Sequence, residues 1–94
     1  MRYNLVDLKL FVAVADAGSV SRGAQACFLA PSSASLRIKA LEDSLGAPLF
    51  VREARGVSLT RPGQIMLEHC RRCLAELEQM HASLAPYGRG VKTQ

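Results

Sequence analysis

Apolar positions recur at helical spacing through the first half of the chain and separate into three segments. From Leu5 to Ala17 they follow one another at intervals of three and four, and Gly18 ends the run. A shorter pattern begins after Ser19, a good N-cap, and continues to about Phe28. The intervals predict a buried first helix and a short second helix, followed by a tight connection.

The third segment begins at Pro31 and ends before Gly46, and it has two distinct faces. Proline is tolerated in the first turn of a helix, and glycine is a common residue after the last turn. The predicted buried stripe consists of Ala34, Ile38, Leu41 and Leu45. The other face offers small hydroxyl groups together with Arg37 and Lys39, which suits the major groove of DNA. Two helices with this short connection have the spacing of a helix-turn-helix motif, although generic helical hairpins share it.

After Gly46 the helical period is lost, and two short runs of β type follow at residues 49–52 and 56–59. They predict a two-stranded hairpin, here called the wing, with Arg52 and Arg55 near its tip. Such a small hairpin is not stable alone, so it must pack against the helices. Its expected apolar anchors are Phe50 and Leu59.

Thr60 is positioned to cap a last, long helix that should run to about Leu84, with Pro86 and Gly88 ending it. Apolar residues alternate at spacings of four and three along this segment, which is the heptad pattern of a helix that pairs with a second copy. The predicted dimerisation residues are Met66, Cys70, Cys73, Leu77, Met80 and Leu84. The last residues, 86–94, are expected to be disordered.

Composition narrows the class of protein. The 94 residues carry a net charge of +4, which is compatible with nucleic acid as a partner but does not establish it. Three cysteines do not form a disulfide framework, and we find neither a signal peptide nor an apolar run of membrane-spanning length. We therefore expect a cytoplasmic protein that does not associate with a membrane.

Catalytic and metal-binding patterns are weak. His69, Cys70 and Cys73 invite a metal or an inter-subunit disulfide, but a structural zinc site needs four ligands, and packing at the helix seam is the simpler interpretation. Glu42 and Asp43 lie at a helix end rather than in a cleft. The sequence has no nucleophile–base set and no glycine-rich phosphate loop, so we expect no enzyme activity, no cofactor and no metal.

Together these segments resemble the N-terminal DNA-binding part of LysR-type transcriptional regulators of bacteria. The resemblance spans about residues 4–64 in register. Its motifs are Leu8-x-x-Phe11-x-x-Val14, Gly18-Ser19-Val20-Ser21, Ala24, Ile38-Lys39-Ala40-Leu41-Glu42, Leu45-Gly46-Ala47-Pro48-Leu49-Phe50-Val51-Arg52 and Leu59-Thr60-Arg61-Pro62-Gly63.

The resemblance implies a mainly α fold, a winged helix-turn-helix followed by a long dimerisation (linker) helix. The corresponding division is 1–60 for the DNA-binding domain, 61–85 for the linker helix and 86–94 for the tail, with the motif at about 22–41 and the wing at about 49–59. It further implies a homodimer on an interrupted palindrome of double-stranded DNA. A small-molecule effector is expected only for a C-terminal domain that this sequence lacks, so we expect the chain to be a DNA-binding fragment.

The candidate DNA-binding residues follow from this resemblance, and each also has an alternative interpretation without DNA contact. The serines could serve only capping and solvation, and the cations could belong to solvated surfaces. For Arg22 the sequence favours contact with phosphate and no contact equally. We expect affinity from Arg22, Arg37, Arg52 and Arg55, and specificity from Ser32, Ser33, Ser35, Leu36 and Lys39. Pro31 is a further candidate DNA-binding residue.

The start of the third helix departs from the family pattern. Ala30 lacks the usual capping hydroxyl, Pro31 stands where a base-reading glutamine is frequent, and Leu36 replaces a residue that is commonly arginine. The operator preference therefore cannot be taken from relatives. A rival hypothesis is a protein-interaction module that works through its heptad helix.

Overall fold

The computed structural model describes residues 2–93, with side chains for residues 2–88. Within this range the order of elements is α1 (Leu5–Ala17), α2 (Val20–Ala26), α3 (Pro31–Leu45), β1 (Phe50–Glu53), β2 (Gly56–Leu59) and α4 (Arg61–Thr93). The mainly helical fold with a small antiparallel wing and a long last helix is thus confirmed.

Helix α1 begins with a complete capping box. The Asn4 side chain accepts a hydrogen bond from the backbone N–H of Asp7 at 3.2 Å, and the Asp7 carboxylate accepts one from the backbone N–H of Asn4 at 3.0 Å. The sequence led us to expect only a partial box, because glutamate or glutamine is usual at this position. That expectation is wrong, since the shorter aspartate also reaches the N-cap backbone.

The core forms around α1, which packs against α2, α3 and α4. It contains Leu10, Phe11, Val14, Ala24, Ala34, Ile38, Leu41, Leu49 and Cys70. Helices α1 and α2 approach closely at Gly23, where a Cβ atom would lie 2.5 Å from Cγ2 of Val14. The absence of a side chain at Gly23 therefore permits this close approach.

Helix α2 ends at Ala26, before the predicted end near Phe28. Phe28 has a φ of 59°, so the chain leaves the right-handed helical region there. The backbone N–H of Leu29 then donates to the carbonyl of Ala24 at 2.9 Å, which closes the turn before α3. Helix α3 has the predicted bounds, with Pro31 in its first turn and Gly46 at a φ of 71° after its last.

The wing is an antiparallel hairpin in which Phe50 pairs with Leu59 and Glu53 pairs with Gly56. Its first strand begins at Phe50, one residue later than predicted, and the preceding Leu49 is buried in the core. The ring of Phe50 packs against that of Phe11 at a centroid distance of 5.2 Å. Together with partly buried Leu59, this contact confirms the predicted anchors.

A backbone hydrogen bond also ties the wing to the end of α1. The N–H of Val57 donates to the carbonyl of Gly18 at 3.0 Å. A Cβ atom at Gly56 would collide with the same carbonyl, and Gly56 has a φ of 137°. The close contact and the backbone conformation both require glycine at this position.

Helix α4 starts as predicted, with the Thr60 hydroxyl accepting a hydrogen bond from the N–H of Gly63 at 3.0 Å. It does not end near Leu84; it continues through Pro86 to Thr93. Proline removes one N–H donor, but the chain from residue 78 to residue 88 is exposed, so water can satisfy the carbonyl that it leaves unpaired. The predicted helix end and the predicted disorder of 86–93 are therefore corrected, and Gln94 lies outside the described residues.

None of the helices in the described part of the chain combines the length and the apolar character needed to cross a membrane.

Candidate nucleic-acid interface

Helix α3 turns one face into the core and leaves the other open. Ala34, Ile38 and Leu41 are buried, while the residues predicted to read bases are exposed. The exposed set is Pro31, Ser32, Ser33, Ser35, Leu36 and Lys39. The N-cap residue Ala30 makes no side-chain hydrogen bond, so the first-turn N–H groups receive no side-chain cap. The start of a helix attracts anions such as phosphate, because its N–H dipoles point outward.

Arg37 lies on the flank of α3 that faces α1. Its Nη1 donates to Oδ1 of Asp7 at 2.9 Å, and the Asp7 side chain is only 12% exposed. The same carboxylate closes the capping box of α1. Arg37 is thus part of the packing between the two helices, and its predicted role as a phosphate clamp competes with an internal partner.

Lys39 has a different environment. Its Nζ lies 3.6 Å from Oδ1 of Asp43, one turn along the helix, and both side chains are largely exposed. An exposed pair of this kind contributes little to stability. Lys39 can therefore turn to another anionic or hydrogen-bonding partner at small cost.

A cleft of about 250 Å³ separates α3 from the wing. Ser35 and Lys39 line it from the helix and Arg52 lines it from β1, so the structure brings residues predicted for base reading and for phosphate binding together. The floor of the cleft is apolar, with Ile38, Phe50 and Val57 among its lining residues.

Two predicted arginines lie outside the cleft. Arg55 is exposed in the two-residue turn at the wing tip. Arg22 is exposed in the first turn of α2, where its backbone N–H donates to Oγ of the N-cap Ser19 at 3.2 Å. In both residues the guanidinium group is on the surface.

Glu42 is a positioning residue that the sequence reasoning missed. Its Oε2 accepts hydrogen bonds from the backbone N–H of Leu49 at 2.7 Å and of Phe50 at 3.2 Å. This carboxylate therefore fixes the entry of the wing to α3. The sequence feature that could have revealed this role is the place of Glu42 in the Leu41-Glu42 motif, seven residues before the apolar Leu49.

Phe28 was also missed as an exposed residue. Its side chain is 96% exposed in the turn before α3, on a left-handed backbone that bulky residues rarely adopt. No glycine or asparagine in the sequence marked this turn.

The long helix divides the predicted dimerisation residues into two groups. Cys70 is 4% exposed and Met66 packs against the core, so the structure assigns these two residues to this chain's own interior. A heptad pattern cannot distinguish a face that packs on the body from a face that packs on a partner. Leu77 is half-buried, and the exposed remainder is Cys73, Met80 and Leu84.

The exposed positions of α4 form a stripe that shares Cys73, Met80 and Leu84 with the predicted seam but has Ile65 and His69 in place of the partly buried Met66 and the buried Cys70. This exposed stripe consists of Ile65, His69, Cys73, Met80, Leu84 and Tyr87, at spacings of four, four, seven, four and three. The spacings are those of a heptad on the face adjacent to the core contact.

Nothing in residues 2–88 supports a metal site at His69, Cys70 and Cys73. These residues form no cluster of three or more ligating side chains, nor does any other group in the described range. Burial raises the pKa of the Cys70 thiol, and the neighbouring Cys73 raises it further. The buried thiol is thus kept protonated, which disfavours both metal binding and disulfide exchange.

Comparison with known proteins identifies sequence relatives of this chain. Residues 5–64 match the family described as "Bacterial regulatory helix-turn-helix protein, lysR family". The chain is 39% identical over 87 residues to the HTH-type transcriptional activator AllS of Klebsiella pneumoniae, covering 93% of this chain and 32% of that protein. It is 41% identical over 76 residues to the HTH-type transcriptional regulator CzcR of Bacillus anthracis, covering 81% of this chain and 26% of that protein.

Solved structures of DNA complexes have the same fold. The DNA-binding domain of CbnR in complex with DNA superposes with a TM-score of 0.79 at 32% identity, covering 93% of this chain and 99% of that one. The BenM DNA-binding domain on catB site 1 DNA gives a TM-score of 0.86 at 28% identity, covering 92% and 96%. The chain thus spans about a third or less of the two regulators compared above, but nearly the whole of these isolated domains.

Proposed function

Because the chain belongs to the lysR family of bacterial regulatory helix-turn-helix proteins, we propose that it recognises a specific double-stranded operator as a dimer. Helix α3 enters the major groove, and the wing contacts the flanking backbone or minor groove. The observation that carries this proposal is the cleft between α3 and the wing, where Ser35, Lys39 and Arg52 converge. The family and its relatives are regulators rather than enzymes, as expected from the sequence.

Affinity in this proposal comes from neutralisation of phosphates. Arg22, Arg52 and Arg55 are exposed and bear the electrostatic part. Arg37 contributes mainly by holding α3 against α1 through Asp7. Specificity comes from the exposed face of α3, with Pro31 at its start and Lys39 as its cation.

The dimer in this proposal forms through the exposed stripe of α4. Helix α4 is 33 residues long, and its residues 78–88 are exposed. Apolar side chains on that part gain from burial by a second copy, at roughly 25 cal/mol per Å². A two-fold axis between paired helices would set the spacing of two half-sites on the operator.

The proposal also covers where the protein acts and how it could be controlled. We place it in the bacterial cytoplasm, where the DNA is. Control by a small-molecule effector would require further regions of a longer protein, since the relatives compared are about three times as long as this chain or longer.

Titration against DNA at several salt concentrations tests the proposal. Selection from a random duplex pool should enrich one interrupted palindrome, and the logarithm of its binding constant should fall linearly with the logarithm of the salt concentration. Binding that is independent of salt, or a pool that stays random, would contradict it.

A further inference from the structure

Leu36 lies at the centre of the outward face of α3. At about 100° per residue, it is roughly 140–160° around the helix axis from each buried residue of the helix, Ala34, Ile38 and Leu41. Its side chain is 72% exposed, and Ser32 and Lys39 flank it about one turn to either side. An apolar side chain thus occupies the position that points most directly away from the core.

The chemistry of the major groove limits what such a side chain can recognise. Leucine has no hydrogen-bond donor or acceptor, so it cannot satisfy the N7, O6, N6 or O4 groups on base edges. The apolar group that the major groove offers is the methyl on C5 of a pyrimidine, which thymine always has. Cytosine has the same group only when it is methylated at C5.

We propose that Leu36 packs on the C5-methyl group of a pyrimidine in each half-site and is a specificity-determining residue of this protein. The inference rests on the proposed function, since it assumes that α3 lies in the major groove. It adds the chemical class of the base that the centre of the helix reads.

Lys39 locates this pyrimidine within the half-site. Side chains three positions apart on a helix have Cβ atoms roughly 5–6 Å apart, and successive bases on one strand are about 3.4 Å apart. The methyl-bearing pyrimidine therefore lies one or two steps from the base that faces Lys39, for which guanine is the favoured partner of a lysine.

The test uses the 94-residue chain and the duplex enriched from a random pool. Each thymine of one half-site is replaced in turn by deoxyuridine, which removes only the methyl group, and binding is measured for the wild type and for Leu36→Ala. One replacement should weaken wild-type binding about fourfold, the effect of one buried methyl-sized group, and leave Leu36→Ala unaffected. The two changes then form a double-mutant cycle that isolates this contact.

A second arm distinguishes the two sources of the methyl group. At the sensitive position the pair is changed to cytosine–guanine, with and without a methyl on C5 of the cytosine. Methylation should strengthen wild-type binding by a similar factor and should not affect Leu36→Ala. If only thymine gives the effect, the partner is thymine; if methylcytosine also gives it, the protein reads the methyl group in either base.

Leu45→Ala is the matched control, because it makes the same substitution on the same helix in line with the buried stripe. It should keep the sensitivity to deoxyuridine, and thermal unfolding should show that Leu36→Ala is as stable as the wild type. A specific operator whose deoxyuridine replacements affect wild type and Leu36→Ala equally would overturn the inference alone. A pool without enrichment would overturn the proposed function and the inference with it.

Discussion

At the residue scale, two cations of α3 that are two positions apart have different partners. Arg37 binds Asp7, which is nearly buried, whereas Lys39 has only an exposed partner in Asp43. Arg37→Ala leaves the Asp7 carboxylate without its cation, so we expect the free energy of unfolding to fall by about 1 kcal/mol. Lys39→Ala should change it by less than about 0.5 kcal/mol. Urea denaturation of both variants measures the difference, and equal losses would contradict the assignment of Arg37 to the helix contact.

DNA-binding measurements should distinguish the role of Lys39 from that of the wing. Lys39→Ala removes the cation that we propose faces the base edges, so the ratio of the affinities for the selected operator and for random DNA should fall. Arg55→Ala removes a charge at the wing tip, so both affinities should fall together and the salt dependence should become shallower by about one charge. Competition binding at fixed salt measures both quantities, and uniform losses in both variants would refute the role given to Lys39.

Phe28 offers a test of backbone strain. Its φ of 59° falls in the left-handed region, which costs an ordinary residue roughly 1–2 kcal/mol and costs asparagine less. We therefore expect Phe28→Asn to raise the free energy of unfolding by about 1 kcal/mol. Phe28→Ala is the control, because it removes the exposed ring but keeps the unfavourable Cβ. Equal effects of the two substitutions in thermal unfolding would point to the ring rather than to the backbone.

At the element scale, one carboxylate joins α3 to the wing. Glu42→Ala would leave the backbone N–H groups of Leu49 and Phe50 without their acceptor, which costs about 1–3 kcal/mol for a buried donor. We expect lower stability together with weaker binding, since Arg52 would no longer be held beside Lys39. Glu42→Gln keeps an acceptor oxygen and should lose less in both measurements. Wild-type DNA affinity in Glu42→Ala would show that the wing keeps its position without this contact.

Periodicity predicted the elements well and their partners less well. The bounds of α3 followed from a proline, a glycine and one apolar stripe, all of which act within the helix itself. The contacts of Glu42 and Arg37 were not predicted, because their partners lie on other elements and no local pattern encodes those contacts. The end of α4 was misplaced for a related reason: proline weakens a helix by a fixed local cost, and the surrounding structure decides whether that cost ends it.

At the scale of the whole molecule, the long helix α4 gives the chain its elongated shape. The chain measures 56 × 24 × 21 Å, and the body is formed by the first three helices, the wing and the start of α4. Met66 and Cys70 pack on that body, while the exposed stripe continues along the same helix beyond it. The apolar pattern of one helix is therefore divided between a face that is buried on the body and an exposed face that we propose pairs with a second copy.

The exposed stripe predicts how the dimer can be broken without unfolding the body. Met80 is 43% exposed on the stripe, and a two-fold pair would bury it on both helices, so Met80→Glu places two unpaired carboxylates in the interface. Sedimentation equilibrium should show dimerisation weakened at least tenfold, with thermal unfolding of the body unchanged. Ala82→Glu introduces the same charge at an exposed position about 160° around the helix axis from Met80 and should dimerise like the wild type. Since avidity requires both half-sites, Met80→Glu should lose affinity for the palindrome but keep that for a single half-site. An equal loss of affinity for both duplexes would instead show that Met80 stabilises the body rather than the dimer.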